Sequence, residues 1–331
     1  SYRAFSRMHC SFVFPETIPR PYLKDFIMGE SSGNLSKIFA ETAIKLELIQ
    51  IEKTLGRDDL LSAFEDQIKA ETSEETPVDE KQQMKLLTKK YENAKAKTLR
   101  QLERESIQHL IVDEEEKLLK FSPKYNQIVK KIGECPGLAF VYTEYKTLEG
   151  IAVFKVVLKA NGYSPFLLKK NDAGQWLVDT ENPDFDASKP NYAFWGEDAE
   201  QSDLIRKIYN NEYDELPTQL RDQVKRMGDN LHGKVIKVLM TTKSGAEGID
   251  LKNVRQVHVV EPYWNPVRVK QVKGRAVRVN SHVQLPKDER KVEIYTYLSE
   301  ITPAQKKSDK TIKDDKDGQS SDEALFELSQ K

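Results

Sequence analysis

The sequence predicts an α/β fold, a parallel sheet flanked by helices, preceded by a helical or disordered extension. Short apolar runs recur between Phe121 and about Ile301: "LAFVY" (138–142), "YAFW" (192–195), "KVLMT" (237–241), "QVHVV" (256–260) and "VEIYTYL" (292–298). Helix-like stretches lie between them, the alternation that produces parallel strands joined by crossover helices. Bulk composition agrees: 331 residues with 38% hydrophobic side chains can bury a sizeable core, while 32% charged residues implies charged extensions around it. In such sheets ligands gather at the carboxyl ends of the strands, so residues just after each run are the first functional candidates.

The elements follow in order. Residues 1–30 open without a Met and mix aromatics with Pro15, Pro19 and Pro21, which suits an extended segment packed on something else. Residues 31–80 form an acidic linker; from Glu65 to Glu80 seven acidic residues face the single Lys69, with Pro77 among them. Within 81–120, Met84, Leu87, Tyr91, Thr98 and Leu102 recur at helical steps, predicting an amphipathic helix to about Lys120. That helix packs on its own domain, with a coiled-coil pairing as the alternative. Residues 121–301 hold the sheet. Residues 302–331 are a charged tail in which Ser320 and Glu323 form a capping box that opens a last helix. Both ends read as cut from a longer protein.

Several function classes are excluded or left without support. Lys+Arg 52 against Asp+Glu 53 gives no global basic field, so nucleic-acid affinity must come from a local patch. Cys10 and Cys135 are too few and too far apart for a disulfide framework or a cysteine zinc site, which suits a reducing, intracellular setting. No apolar run approaches membrane-spanning length and no leader opens the chain. His9, His109, His232, His258 and His282 show no metal spacing.

Two stretches imitate nucleotide motifs. "GDNLHGKV" (228–235) resembles G-x-x-x-x-G-K-[ST], but a helix-like stretch precedes it and a strand-like one follows. A phosphate loop needs the reverse order, so that backbone N–H groups and the helix dipole converge on the anion, and Val235 replaces the magnesium-binding hydroxyl. "LIVDEEEK" (110–117) imitates a strand with an Asp-Glu pair, yet it continues the helical stripe and reads as a solvated helix face.

The specific signal lies further on. "TTKSGAEGIDL" (241–251) directly follows a buried strand, and its small residues let backbone approach a ligand. Then Gln271, Gly274, Arg275 and Arg278 form Q-x-x-G-R-x-x-R within "VEPYWNPVRVKQVKGRAVR". On a helix Gln271, Arg275 and Arg278 share one face. Two guanidiniums from one face suit the charge that develops on a γ-phosphate.

Together these residues resemble motifs V and VI of superfamily 2 helicases. "SGAEGIDL" with "PYWNP" is similar to the Swi2/Snf2-like translocases in particular. The wider pattern, including "SPKYNQIV", "LAFVYTEY", "LPTQLRDQV" and "GRAVRVNSHVQLP", resembles helicases of nucleocytoplasmic large DNA viruses, of the poxvirus nucleoside triphosphate phosphohydrolase I and early transcription factor small subunit type. The resemblance covers 121–301, a RecA-like C-terminal lobe, and extends weakly to 1–30 as the exit from a first lobe.

The resemblance implies roles. Arg275 and Arg278 are arginine fingers across an interlobe cleft, and Gln271 orients groups around the γ-phosphate. Gly248 and Asp250 lie near the ribose, with Gly274 beside the nucleotide. Thr242 and Lys243 meet the nucleic-acid backbone, and Thr143, in motif IV, either does so or closes a strand-end turn. Trp264 suits core packing over base stacking. ATP and Mg2+ are the expected cofactors, bound mainly by a first lobe whose phosphate loop and Asp-Glu box do not occur in this sequence, so the chain alone is expected to be inactive. The expected partners are nucleic acid, DNA before RNA and independent of sequence, that first lobe, and a viral transcription machinery in virion and host cytoplasm. The alternative is a non-catalytic half-helicase adaptor that docks nucleic acid or a partner.

Overall fold

The computed structural model describes residues 10–22, 25, 78–114, 116–196, 198–242, 249–262, 266–300 and 320–330. Lys243, Gly248 and Trp264 lie outside the described residues, as do most of the acidic linker and most of the charged tail.

The strands are β1 (Leu138–Tyr142), β2 (Ser164–Pro165), β3 (Leu168–Lys170), β4 (Trp176–Val178), β5 (Asn191–Trp195), β6 (Val238–Thr241), β7 (Val254–Val259) and β8 (Glu293–Thr296). Six of them make one sheet in the order β2-β5-β6-β1-β7-β8, and every neighbouring pair is parallel. All five predicted runs are strands of this sheet; β1, β5 and β6 read as continuous apolar runs because both their faces are largely covered, whereas β8 is an exposed edge strand. Alternate residues serve opposite faces: Leu138, Phe140 and Tyr142 of β1 enter one core, Ala139 and Val141 the other. β3 and β4 form a small antiparallel hairpin that the apolar pattern did not announce.

Helices cover both faces. On one lie α1 (Val78–Arg104), α2 (Pro123–Glu134) and α3 (Val153–Ala160), together with residues 10–22. On the other lie α4 (Ala199–Tyr209), α5 (Thr218–Met227) and α6 (Pro266–Ala276). α7 (Ser321–Gln330) begins at the predicted capping box: Ser320 Oγ accepts from Glu323 N at 3.1 Å, and Glu323 Oε2 accepts from Ser320 N at 2.6 Å. Asp322 at its start is buried against Lys124 of α2 at 3.3 Å. No described helix is long and apolar enough to cross a membrane.

The N-terminal segment packs as an extended strap, with Phe12 and Ile18 buried and Val13 N donating to Phe121 O at 2.8 Å. α1 packs on its own domain through Tyr91, Thr98 and Leu102. It does not run to Lys120, however: it ends at Arg104, a single turn covers Ser106–His109, and 110–114 and 116–117 are irregular. Two asparagines compete successfully for its backbone. Asn161 Oδ1 accepts from Val112 N at 3.0 Å while Nδ2 donates to Leu110 O at 2.7 Å, and Asn126 Oδ1 accepts from Asp113 N at 2.9 Å. Asp113 then takes the left-handed conformation, φ 62°, that ends any helix. "LIVDEEEK" is therefore a pinned turn, neither a magnesium element nor a helix face.

Candidate nucleotide and nucleic-acid edges

β7 and α6 place the arginines. Pro266, lacking an N–H, opens α6, and Val272 and Ala276 bury its inner face. Eleven residues at ~1.5 Å rise return the chain about 16 Å, close to the length of β7, so the helix ends beside the strand's entry. Three contacts fix that return: Leu251 N donates to Arg275 O at 3.2 Å, Asn253 N to Ser281 O at 2.9 Å, and His282 Nε2 meets Val254 O at 2.7 Å.

α6 exposes Gln271 and half-buries Arg275. Arg278 is not on the same helical face, since α6 closes at Ala276; the shared face holds for Gln271 and Arg275 alone. Arg278 instead reaches Asp250 from the following turn, Nη1 to Oδ1 at 3.0 Å. Asp250 is held in place through its carbonyl, which accepts from Asn210 Nδ2 at 2.9 Å, while Asn210 Oδ1 takes Lys252 N at 2.9 Å. The Arg275 guanidinium has no carboxylate partner among the described residues. From Pro266 to Arg278 the chain carries five cations and no acid. A Cβ at Gly274 would meet nothing within 4 Å, so the lobe itself does not demand glycine there.

The carboxyl ends of β1, β6 and β7 form a second edge, around the switch in strand order. Thr143 and Thr242 follow β1 and β6 directly, Glu261 follows β7 after Val260, and all three are buried. Thr143 closes a strand-end turn, the second of its two expected roles. It is 1% exposed, its hydroxyl donates to Glu261 Oε1 at 3.0 Å, and it accepts from Tyr145 N at 3.2 Å. A hydroxyl has one proton, so none remains for a phosphate oxygen. Glu261 also takes Glu144 N at 3.1 Å and the strap's Ser11 hydroxyl at 3.2 Å. Two residues that the motif reading passed over, Asn210 and Glu261, thus hold the two edges. Their only signals in sequence are a polar pair ending a helix ("YNN") and an acid directly after an apolar strand ("VVE").

"GDNLHGKV" joins α5 to β6, helix before strand. Its glycines serve the turn, with φ 124° at Gly228 and 80° at Gly233. Buried Asn230 closes it: Oδ1 accepts from Val235 N and Ile236 N at 2.9 and 2.8 Å, and Nδ2 donates to Tyr209 O and Ile236 O at 2.9 and 3.2 Å.

Residues 201–280 match the helicase conserved C-terminal domain family, a span running from α4 to just past Arg278. Over 186 residues the chain is 31% identical to a protein of Acanthamoeba polyphaga mimivirus named provisionally as an ATP-dependent RNA helicase, R563, covering 55% of this chain and 27% of that one. It is 33% identical over 186 residues to a termination factor NPH-I homolog of African swine fever virus, covering 54% and 26%. It is 39% identical over 101 residues to nucleoside triphosphatase I of Heliothis armigera entomopoxvirus, covering 30% and 16%. The chain thus spans about a quarter of the length of the first of these relatives. The C-terminal part of the Fun30 ATPase domain matches at a TM-score of 0.34 and 13% identity, over 66% of this chain and 55% of that one, a level too low to bear on the fold. The parallel α/β lobe thus carries, over residues 201–280, a match to the helicase conserved C-terminal domain family, and the chain is similar to helicases and nucleoside triphosphatases of large DNA viruses.

Proposed function

We propose that this lobe is the second half of an ATP-dependent translocase that moves along nucleic acid, DNA in the first instance, and that it completes the nucleotide site with Arg275 and Arg278. One observation carries the reading: Arg278 is held against Asp250 while Arg275, beside it, keeps a half-buried guanidinium with no carboxylate partner among the described residues. An adaptor that only docks a partner has no need of an uncompensated guanidinium there. These groups fit a γ-phosphate, since both are fixed cations with forked donors. ATP with Mg2+ would be held mainly by a first lobe, and Gln271, exposed on the same helix, would orient groups around the phosphate.

The chemistry asked of this chain is positioning and charge stabilisation. Arg278 enters the cleft oriented by Asp250; Arg275 brings charge that its surroundings leave unbalanced. The 249–253 segment follows the stretch that includes Thr242 and Lys243 and ends at the arginine cluster, so one piece of chain links the nucleic-acid edge to the nucleotide edge. In the complete protein, Arg275→Ala and Arg278→Ala should each lower hydrolysis about a thousandfold while nucleotide binding persists. Turnover within about twofold of the parent for both would remove the arginine fingers from α6 and its following turn.

A further inference from the structure

Lys155 is the third residue of α3, and its Nζ lies 4.8 Å from the centroid of the Phe194 ring. It is half-buried and has no carboxylate partner among the described residues. The charge that acts on it is Lys146, of the same sign; burial first and that lysine second hold its pKa below the ordinary lysine value. Several other lysines of the lobe are compensated, Lys124 by Asp322, Lys159 by Glu103 and Asp184, Lys169 by Asp179 and Glu181, Lys170 by Glu200, and Lys237, likewise without such a partner, donates to the Cys135 carbonyl at 2.5 Å. A partly desolvated cation without a counter-charge costs free energy, and a ring face offsets only part of it.

The position gives that cost a use. Phe194 and Trp195 end β5 in register with Met240 and Thr241 of β6, and Lys146 follows β1 by a few residues. The ammonium therefore lies at the carboxyl edge with Thr143 and Thr242, at the other end of the strands from the entry to β7 where Arg275 and Arg278 sit. At this edge Thr143 has no proton to offer, so an anion laid across it needs another donor. We propose that Lys155, positioned by the Phe194 ring, binds a backbone phosphate of a polynucleotide crossing the carboxyl edge of the sheet. This rests on the reading above that the edge faces nucleic acid.

The test uses the 331-residue chain, a fluorescein-labelled single-stranded oligonucleotide and anisotropy across a salt series. Each phosphate neutralised on a single strand adds about −0.7 to the log–log salt slope. Lys155→Gln should lower the slope by about that amount for every base sequence alike, Lys155→Arg should keep it, and Lys170→Gln, removing a compensated lysine, should leave it unchanged. The melting temperature of Lys155→Gln should be equal to or above the parent's, because an unbalanced buried charge is gone. Binding with an unchanged slope in Lys155→Gln overturns the proposal alone. Absence of oligonucleotide binding by the parent overturns the nucleic-acid reading and this residue with it. If Lys155→Gln weakens ATP binding and spares the oligonucleotide, the phosphate is a nucleotide's and the proposal falls.

Discussion

Removing His258 should remove an acid-side loss of stability. The imidazole is fully buried in β7, opposite Val141 of β1 and Tyr295 of β8. It stacks on Tyr295 at 5.4 Å and 15° and on Tyr297 at 6.0 Å and 19°, with Nδ1 at 2.8 Å from the Tyr297 hydroxyl. Nε2 is buried without a hydrogen-bond partner among the described residues. Burial pushes the pKa down to about 3, against the pull of Glu293 toward the charged form. The unfolded chain takes a proton near pH ~6.5 and the folded one does not until about 3, so between these values the unfolded state binds more protons. Stability present above about 6.5 is therefore lost as pH falls, by ~1.4 kcal/mol per unit once well inside the window. Between about pH 7 and about pH 5 this comes to roughly 2 kcal/mol, and because pH 5 lies far above the folded value the figure depends on the unfolded one. His258→Phe keeps a ring between the tyrosines and removes the proton site. Urea unfolding at a series of pH values should show the parent losing about 2 kcal/mol more than the variant between about pH 7 and about pH 5. Equal losses in the two proteins would mean that His258 is not held neutral by its burial.

Three further outcomes follow from single contacts. Asp250→Asn should cost less than about 1 kcal/mol, because both partners of the Arg278 pair are near half exposed (42% and 47%); a loss of several kcal/mol in chemical denaturation would make Asp250 a structural residue before a functional one. Gly150→Ala should cost about 3 kcal/mol or more, since its Cβ would stand 1.8 Å from the Tyr145 carbonyl oxygen, and an unmoved urea midpoint would show that the turn after β1 yields freely. Lys124→Met would take the lysine charge from an Asp322 carboxylate only 2% exposed, leaving its hydrogen bond from Ser299 N at 3.0 Å in place, a change worth about 3 kcal/mol if α7 stays docked. The cheaper response is for α7 to detach, so limited proteolysis should release the C-terminal helix from the variant at protease levels that spare the parent.

What could be read from the sequence was local. β1, β5 and β6 stood out because burial on both faces leaves little room for polar alternation, and Ser320 and Glu323 announced the start of α7 because a capping box needs only four residues. β2, at two residues, and the β3–β4 hairpin, at three each, carry too short a pattern to be seen. The stripe from Met84 stops short of Lys120, and nothing in "LIVDEEEK" reveals that Asn126 of α2 and Asn161 at the end of α3 take its backbone groups. The same limit shaped the site. Q-x-x-G-R-x-x-R was read as one face on the premise that the helix continued, and α6 stops two residues before Arg278.

Thr143 follows β1, and its partner Glu261 is 118 residues away in sequence. The consequence reaches beyond one residue. A strand-end position makes a side chain available only if its donors are free, and Glu261 takes the Thr143 proton while it also holds the Glu144 N–H and the Ser11 hydroxyl. The carboxyl edge is therefore anchored by a buried acid that binds it to the N-terminal strap. An anion crossing that edge must find positive charge nearby that no carboxylate has already balanced. Spacing in the sequence cannot show which lysine that is, because balance depends on what folds beside it: Lys169 and Lys170 look as available as Lys155 along the chain, and of these three Lys155 alone has no carboxylate partner among the described residues.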